Sequence, residues 1–104
     1  MPKPAILVID DDTSITTTIS NFLRAKGYSV TVANDSDNAL EMIAGNRFPL
    51  ILSDIYIDRL TGIDILRVAL ARDPEVCVIL MTARGSVSTT VDAEVGGAFD
   101  YLAK

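Results

Sequence analysis

Histidine is absent from this sequence of 104 residues. Catalytic triads and general bases built on imidazole are excluded with it, and so are His-ligated metal sites. Tryptophan is absent too, and three Phe and three Tyr leave a core that must be mostly aliphatic. The single cysteine, Cys77, cannot close an internal disulfide. It lies in the apolar run Val76-Cys77-Val78-Ile79-Leu80 and reads as a small buried hydrophobe. Cations are in deficit, with 9 Lys and Arg against 14 Asp and Glu and a net charge of −5. That argues against direct nucleic-acid binding by this chain, which needs clustered Lys and Arg to neutralise phosphates. No apolar run approaches the roughly 20 residues of a membrane span. Met1-Pro2-Lys3-Pro4 leads into a short apolar run without a signal-peptide cleavage pattern. A cytoplasmic location with no membrane partner is therefore expected.

What is present suits one domain over residues 1–104, with 49% hydrophobic residues to build its core. The pattern alternates. Apolar β-like runs fall at 5–9, 28–33, 50–52, 76–81 and 99–102. Between them lie four segments with helical spacing. Ile15, Ile19, Phe22 and Leu23 make one stripe, and Gly27 stands where a C-cap glycine belongs. Ala39, Leu40, Ile43 and Ala44 precede a stop at Gly45-Asn46, and Ile63, Ile65, Leu66, Ala69 and Leu70 precede Asp73-Pro74. A fourth segment, 86–95, is rich in Ser, Thr and Val and has low helix propensity. The first, third and fourth strands are near-continuous apolar runs, as in parallel strands covered on both faces. The expectation is a doubly wound α/β sheet.

Ligands of open parallel sheets bind at the carboxyl ends of the strands. Strand one ends in Asp10-Asp11-Asp12, strand three in Ser53-Asp54, strand four in Thr82-Ala83, and strand five in Ala103-Lys104. Carboxylates gathered there repel one another, and a divalent cation relieves them. Oxygen ligands alone select a hard ion: Mg²⁺, with Mn²⁺ or Ca²⁺ as substitutes. An Asp nucleophile can form an acyl phosphate, and Lys104 and the Thr82 hydroxyl can bind the phosphoryl oxygens. Taken singly, each residue has a plainer role. Asp12 and Thr13 are plausible helix caps, Lys104 a solvated lysine, Thr82 a turn residue. It is their co-location that points to phosphoryl transfer.

These residues resemble the receiver domain of bacterial two-component response regulators, in register over essentially the whole chain. The resemblance is carried by Ile6-Leu7-Val8-Ile9-Asp10-Asp11-Asp12, Leu50-Ile51-Leu52-Ser53-Asp54-Ile55, Leu80-Met81-Thr82-Ala83 and Phe99-Asp100-Tyr101-Leu102-Ala103-Lys104. It implies a flavodoxin-like five-stranded parallel sheet of order 2-1-3-4-5. It implies that Asp54 is phosphorylated by a partner histidine kinase. Asp11 would ligate Mg²⁺ directly, Asp10 mostly through water, and the Tyr56 backbone carbonyl would be a further ligand. Thr82 and Tyr101 would be the switch residues. Lys104 would pair with Asp54 and then with its phosphoryl group. The segment from Gly85-Ser86-Val87 to Gly97-Ala98-Phe99-Asp100-Tyr101 is similar to receivers joined to an ATPase and a DNA-binding output domain in enhancer-binding, sigma-54-dependent regulators. A homodimer is left open.

There are departures from the family. Asp58-Arg59 stands where a Pro-Gly turn is common, so a rigid Pro is lacking and Asp58 is expected to add negative charge near the pocket. Thr61 replaces an acid common before Gly62. Tyr56 and Arg84 occupy positions that tune loss of the phosphoryl group, and their bulk implies a long-lived phosphoryl state. Family members continue through Pro and a fifth helix, so a chain ending at Lys104 is expected to lack that helix. Two other readings stand beside this one: a receiver-like interaction module that is not phosphorylated, and a phosphatase resembling the haloacid dehalogenases through Asp10-Asp11-Asp12-Thr13-Ser14. A flavin protein is disfavoured, because the acidic loop would repel the cofactor's phosphate.

Overall fold

In a computed structural model of the chain, residues 5–82 and 100–103 are described. Five strands and three helices follow in the order β1 (Ala5–Ile9), α1 (Thr13–Ala25), β2 (Ser29–Ala33), α2 (Ser36–Gly45), β3 (Leu50–Asp54), α3 (Gly62–Arg72), β4 (Cys77–Thr82) and β5 (Asp100–Ala103). The strands form one sheet of order β2-β1-β3-β4-β5, and every pairing is parallel. This is the flavodoxin-like sheet that the family resemblance implies. The expected fourth helix, 86–95, lies outside the described residues. Among the described residues, no helix is long and apolar enough to cross a membrane.

The period of two along each central strand sorts side chains to two faces. Leu7, Ile9, Ile51, Val78 and Leu80 pack with Ala39 and Ile43 of α2 and Ile65, Leu66 and Ala69 of α3. Ile6, Val8, Leu52 and Met81 form the other cluster, with Ile19 and Leu23 of α1 against it. Helices therefore cover both faces, which is why the central strands read as unbroken apolar runs. Each fully buried Leu or Ile contributes about 1.5–3 kcal/mol relative to exposure.

Helix boundaries follow local chemistry. Asp12 caps α1, its carboxylate accepting from the Ser14 N–H at 3.0 Å and the Ser14 hydroxyl at 2.7 Å. At the other end the Gly27 N–H donates to Arg24 O at 2.9 Å and the Tyr28 N–H to Leu23 O at 3.1 Å. This is a Schellman closure, and it needs Gly27 at φ 94°. Thr61 caps α3 in a capping box with Asp64, with 3.0 and 3.2 Å bonds in the two directions. A threonine at this position thus has a local role.

β3 runs past the apolar run through Ser53 to Asp54, the expected strand end, and its ladder with β4 continues to the pair Asp54–Met81. Two expectations need correction. The α1 stripe is not uniformly inward. Phe22 is 62% exposed, while Thr16 and Ser20 are the buried positions of the helix. Their hydroxyls donate to Thr13 O and Thr17 O, so burial leaves them satisfied. Phe22 lies past the packed seam with the Lys26 ammonium 5.5 Å from its ring. Cys77 is half-buried at the start of β4, not fully buried.

Replacing Gly27 by Ala forces a Cβ into the left-handed region and should cost about 1 kcal/mol. Urea unfolding of Gly27→Ala should show a lower midpoint with an unchanged slope. An unchanged midpoint would contradict this account of the α1 terminus.

Candidate functional site

The chain passes from β1 outward to β2, then returns across β1 to β3. The C-terminal ends of β1 and β3 are therefore neighbours at the point where the winding reverses, with Ile9 paired to Ser53. Asp10 follows the first strand and Asp54 ends the third. Carboxylate oxygens of Asp10, Asp11 and Asp54 all lie within 4.8 Å of one another. Asp10 is fully buried, Asp54 is 7% exposed, and Asp11 faces solvent.

Backbone bonds fix these positions. The Asp10 N–H donates to Ala33 O at 3.2 Å, and the Asp10 carboxylate accepts from the Asp12 N–H at 3.0 Å. The Asn34 amide donates to Asp10 O at 2.9 Å and to the Thr16 hydroxyl at 3.0 Å, tying β2, β1 and α1 together. Past Asp54, the Ile55 N–H donates to Met81 O at 3.0 Å and the Gly62 N–H donates to Ile55 O at 2.6 Å. A Cβ on Gly62 would stand 2.5 Å from Asp54 O, so only glycine lets α3 start this close to the acid.

Two buried carboxylates about 5 Å apart repel by on the order of 3 kcal/mol at an effective dielectric of 20. A nearby cation would relieve this repulsion. The donor set is all oxygen, which suits a hard divalent cation.

The turn after Asp54 is compact. Ile55 and Ile57 point into the core and Tyr56 between them points out, 52% exposed. A bridge pairs Tyr56 with Thr61, and the Ile57 N–H donates to Leu60 O at 3.2 Å. Asp58, expected to add negative charge near the pocket, is held by α2. The group of mutually close carboxylates comprises Asp10, Asp11 and Asp54. The Asp58 carboxylate instead accepts from the Ser36 hydroxyl and, at 2.9 Å, from the Ser36 N–H at the start of α2. The hydroxyl bond, reinforced by backbone N–H groups, lowers its pKa to about 2. Arg59 pairs with Asp37 beside it. Ser36 was not visible as a site residue, because its partner is 22 positions away and no local spacing reports it.

Of the other expected site residues, Thr82 ends β4 with its backbone paired to Ala103, and Tyr101 in β5 pairs with Leu80. Arg84 and Lys104 lie outside the described residues.

The sheet order, the winding reversal and the acidic cluster together match a receiver-type fold. The chain belongs to the response regulator receiver domain family, which it matches over residues 6–104. It is similar to the transcriptional regulatory protein ZraR of Escherichia coli strain K12, with 42% identity over 95% of this chain. That alignment spans 22% of the relative's length. A receiver domain protein from Methanospirillum hungatei JF-1 has a similar structure, with TM-score 0.92 and 31% identity over 97% of this chain and 81% of that one. So does a response regulator from Burkholderia pseudomallei, with TM-score 0.92 and 29% identity over 98% of this chain and 60% of that one. The latter was solved with a phosphorylated aspartic acid, a calcium ion and citrate. Membership of this family displaces the phosphatase reading.

Gly62→Ala should destabilise by about 1–3 kcal/mol, the usual range for overpacking, because the close neighbour is backbone and cannot rotate away. Chemical denaturation measures this directly. A wild-type midpoint would show that α3 does not approach Asp54 as described.

Proposed function

We propose that this domain is a phosphorylation switch in which Asp54 accepts a phosphoryl group from a sensor histidine kinase. The observation that carries the reading is the convergence of the Asp10, Asp11 and Asp54 carboxylates within 4.8 Å at the winding reversal. A carboxylate oxygen of Asp54 attacks the phosphorus of the phosphohistidine. An O–P bond forms as the P–N bond breaks, and the histidine nitrogen departs with the electron pair. The product is an acyl phosphate on Asp54. Asp11, Asp10, Asp54 and the Tyr56 carbonyl would hold Mg²⁺, for which Mn²⁺ or Ca²⁺ could substitute; when bound, it would neutralise charge on the transferring phosphoryl group. Thr82 and Lys104 take the remaining oxygens.

The new group adds charge and three acceptor oxygens beside the end of β4. Thr82 and Tyr101 then bias the face formed by the fourth strand, the fourth helix and the fifth strand. An output domain reads that face. By similarity to a transcriptional regulatory protein, the output is transcription, through an ATPase and DNA-binding unit of the enhancer-binding, sigma-54-dependent kind. The cytoplasmic location follows from the same reading. Tyr56 and Arg84 shield the acyl phosphate from water, a reading supported by Tyr56 following two residues after Asp54 with half its surface exposed.

Incubation with Mg²⁺ and acetyl phosphate should add the mass of one phosphoryl group to the wild type and none to Asp54→Ala. Beryllofluoride should perturb the spectrum of the wild type alone. Modification that survives in Asp54→Ala would overturn the assignment, and a wild type that takes no phosphoryl group would leave an interaction module. Separately, Tyr56→Ala should shorten the half-life of the phosphorylated form, followed by loss of that mass after the donor is removed. An unchanged half-life would remove Tyr56 from the shielding role.

A further inference from the structure

The β3–α3 turn carries no proline, yet it is fastened to a second element. Ser36 is the first residue of α2 and is fully buried. Its hydroxyl donates to the Asp58 carboxylate and accepts from the Leu60 N–H at 3.1 Å, while its N–H donates to the same Asp58 oxygen at 2.9 Å. One side chain thus grips the turn at both Asp58 and Leu60. The carboxylate also faces the N-terminus of α2, where the helix dipole favours a negative charge. Arg59–Asp37 flanks this contact but is exposed and screened, so it holds the turn weakly.

The gripped segment is the apex of a closed turn. Its base is the bridge between Tyr56 and Thr61, and Ile57 anchors one arm in the core. Fixing Asp58 and Leu60 therefore fixes the backbone at Tyr56. We propose that Ser36, through Asp58 and Leu60, is a positioning residue for the cation site: it holds the Tyr56 carbonyl in place relative to the carboxylates of Asp10, Asp11 and Asp54. This rests on the proposed role of that carbonyl as a metal ligand. It assigns to a serine on α2 the task that a rigid proline would perform within the turn.

Mg²⁺ titration of the unphosphorylated protein, by calorimetry or amide chemical shifts, tests it. Ser36→Ala removes both hydroxyl bonds without changing charge. It should weaken Mg²⁺ binding about tenfold, the low end of the roughly 10- to 100-fold carried by groups that orient metal ligands. Hydrogen exchange at the Leu60 amide should accelerate. Asp58→Asn should weaken binding in the same direction, and the double variant should lose no more than the weaker single one. Asp37→Asn removes a neighbouring charge outside the grip and should bind Mg²⁺ as the wild type does. Wild-type affinity in Ser36→Ala with faster Leu60 exchange would reduce the contact to a purely structural one and overturn the proposal. Additive losses in the double variant would also overturn it. If the wild type binds no Mg²⁺ that Asp11→Asn abolishes, the reading of the whole site falls, and this inference with it.

Discussion

Repulsion among three carboxylates at one end of a sheet is the constraint on which the rest of this structure depends. Any one of them could relax by turning into solvent. Asp10 and Asp54 do not, since both are buried. Their burial follows from their positions: one follows a central strand and the other ends its neighbour, with helices over both faces. The parallel ladder fixes the register, the Asn34 amide ties the β2 end to Asp10, and Gly62 lets a helix start within contact of Asp54. Packing energy from two apolar clusters is thus set against electrostatic cost at one edge. In the proposed function, a cation and later a phosphoryl group would offset that cost.

A close-packed acidic edge also demands that the segments around it hold still. Proline stiffens a turn by narrowing its unfolded ensemble. The Ser36–Asp58–Leu60 contact stiffens the folded state instead, through bonds that a single hydroxyl makes in two directions. The difference has a mechanical consequence. A proline restrains only its own segment, whereas this contact makes the start of α2 and the turn after Asp54 one unit. Asp58 can then carry a negative charge close to an acidic site, because its carboxylate is already committed to donors on α2.

Much of this was legible in the sequence, for reasons that can be given element by element. β1, β3 and β4 show as apolar runs because both of their faces are covered. Gly27 and Asp12 report the ends of α1 because caps depend on neighbours only two to five residues away. The acids of the site are legible because they terminate strands, and strand termini share an edge in this topology. What was not legible is non-local or runs against a pattern. Ser36 and Asp58 meet across 22 positions. Phe22 belongs to the apolar stripe by spacing but falls beyond the seam by geometry, and Thr16 and Ser20 are buried because their hydroxyls bond back to the helix.

Two covalent and hydrogen-bonded routes lead away from Asp54, and they differ in stiffness. Forward along the chain, Ile55 and Ile57 are set in the core and the apex of the turn is gripped from α2. Sideways, Asp54 pairs with Met81, and the Ile55 N–H donates to Met81 O, one residue before the end of β4. A change of charge at Asp54 acts on both routes at once. The forward route is restrained by core packing, by the Tyr56–Thr61 bridge and by bonds to a second helix. The sideways route is a backbone ladder whose last pair, Thr82 with Ala103, joins β4 to the edge strand β5. In the proposed switch, a stiff forward arm would leave less of the perturbation to be absorbed in the turn, so more of it would reach the ends of β4 and β5, where the proposed switch residues Thr82 and Tyr101 stand.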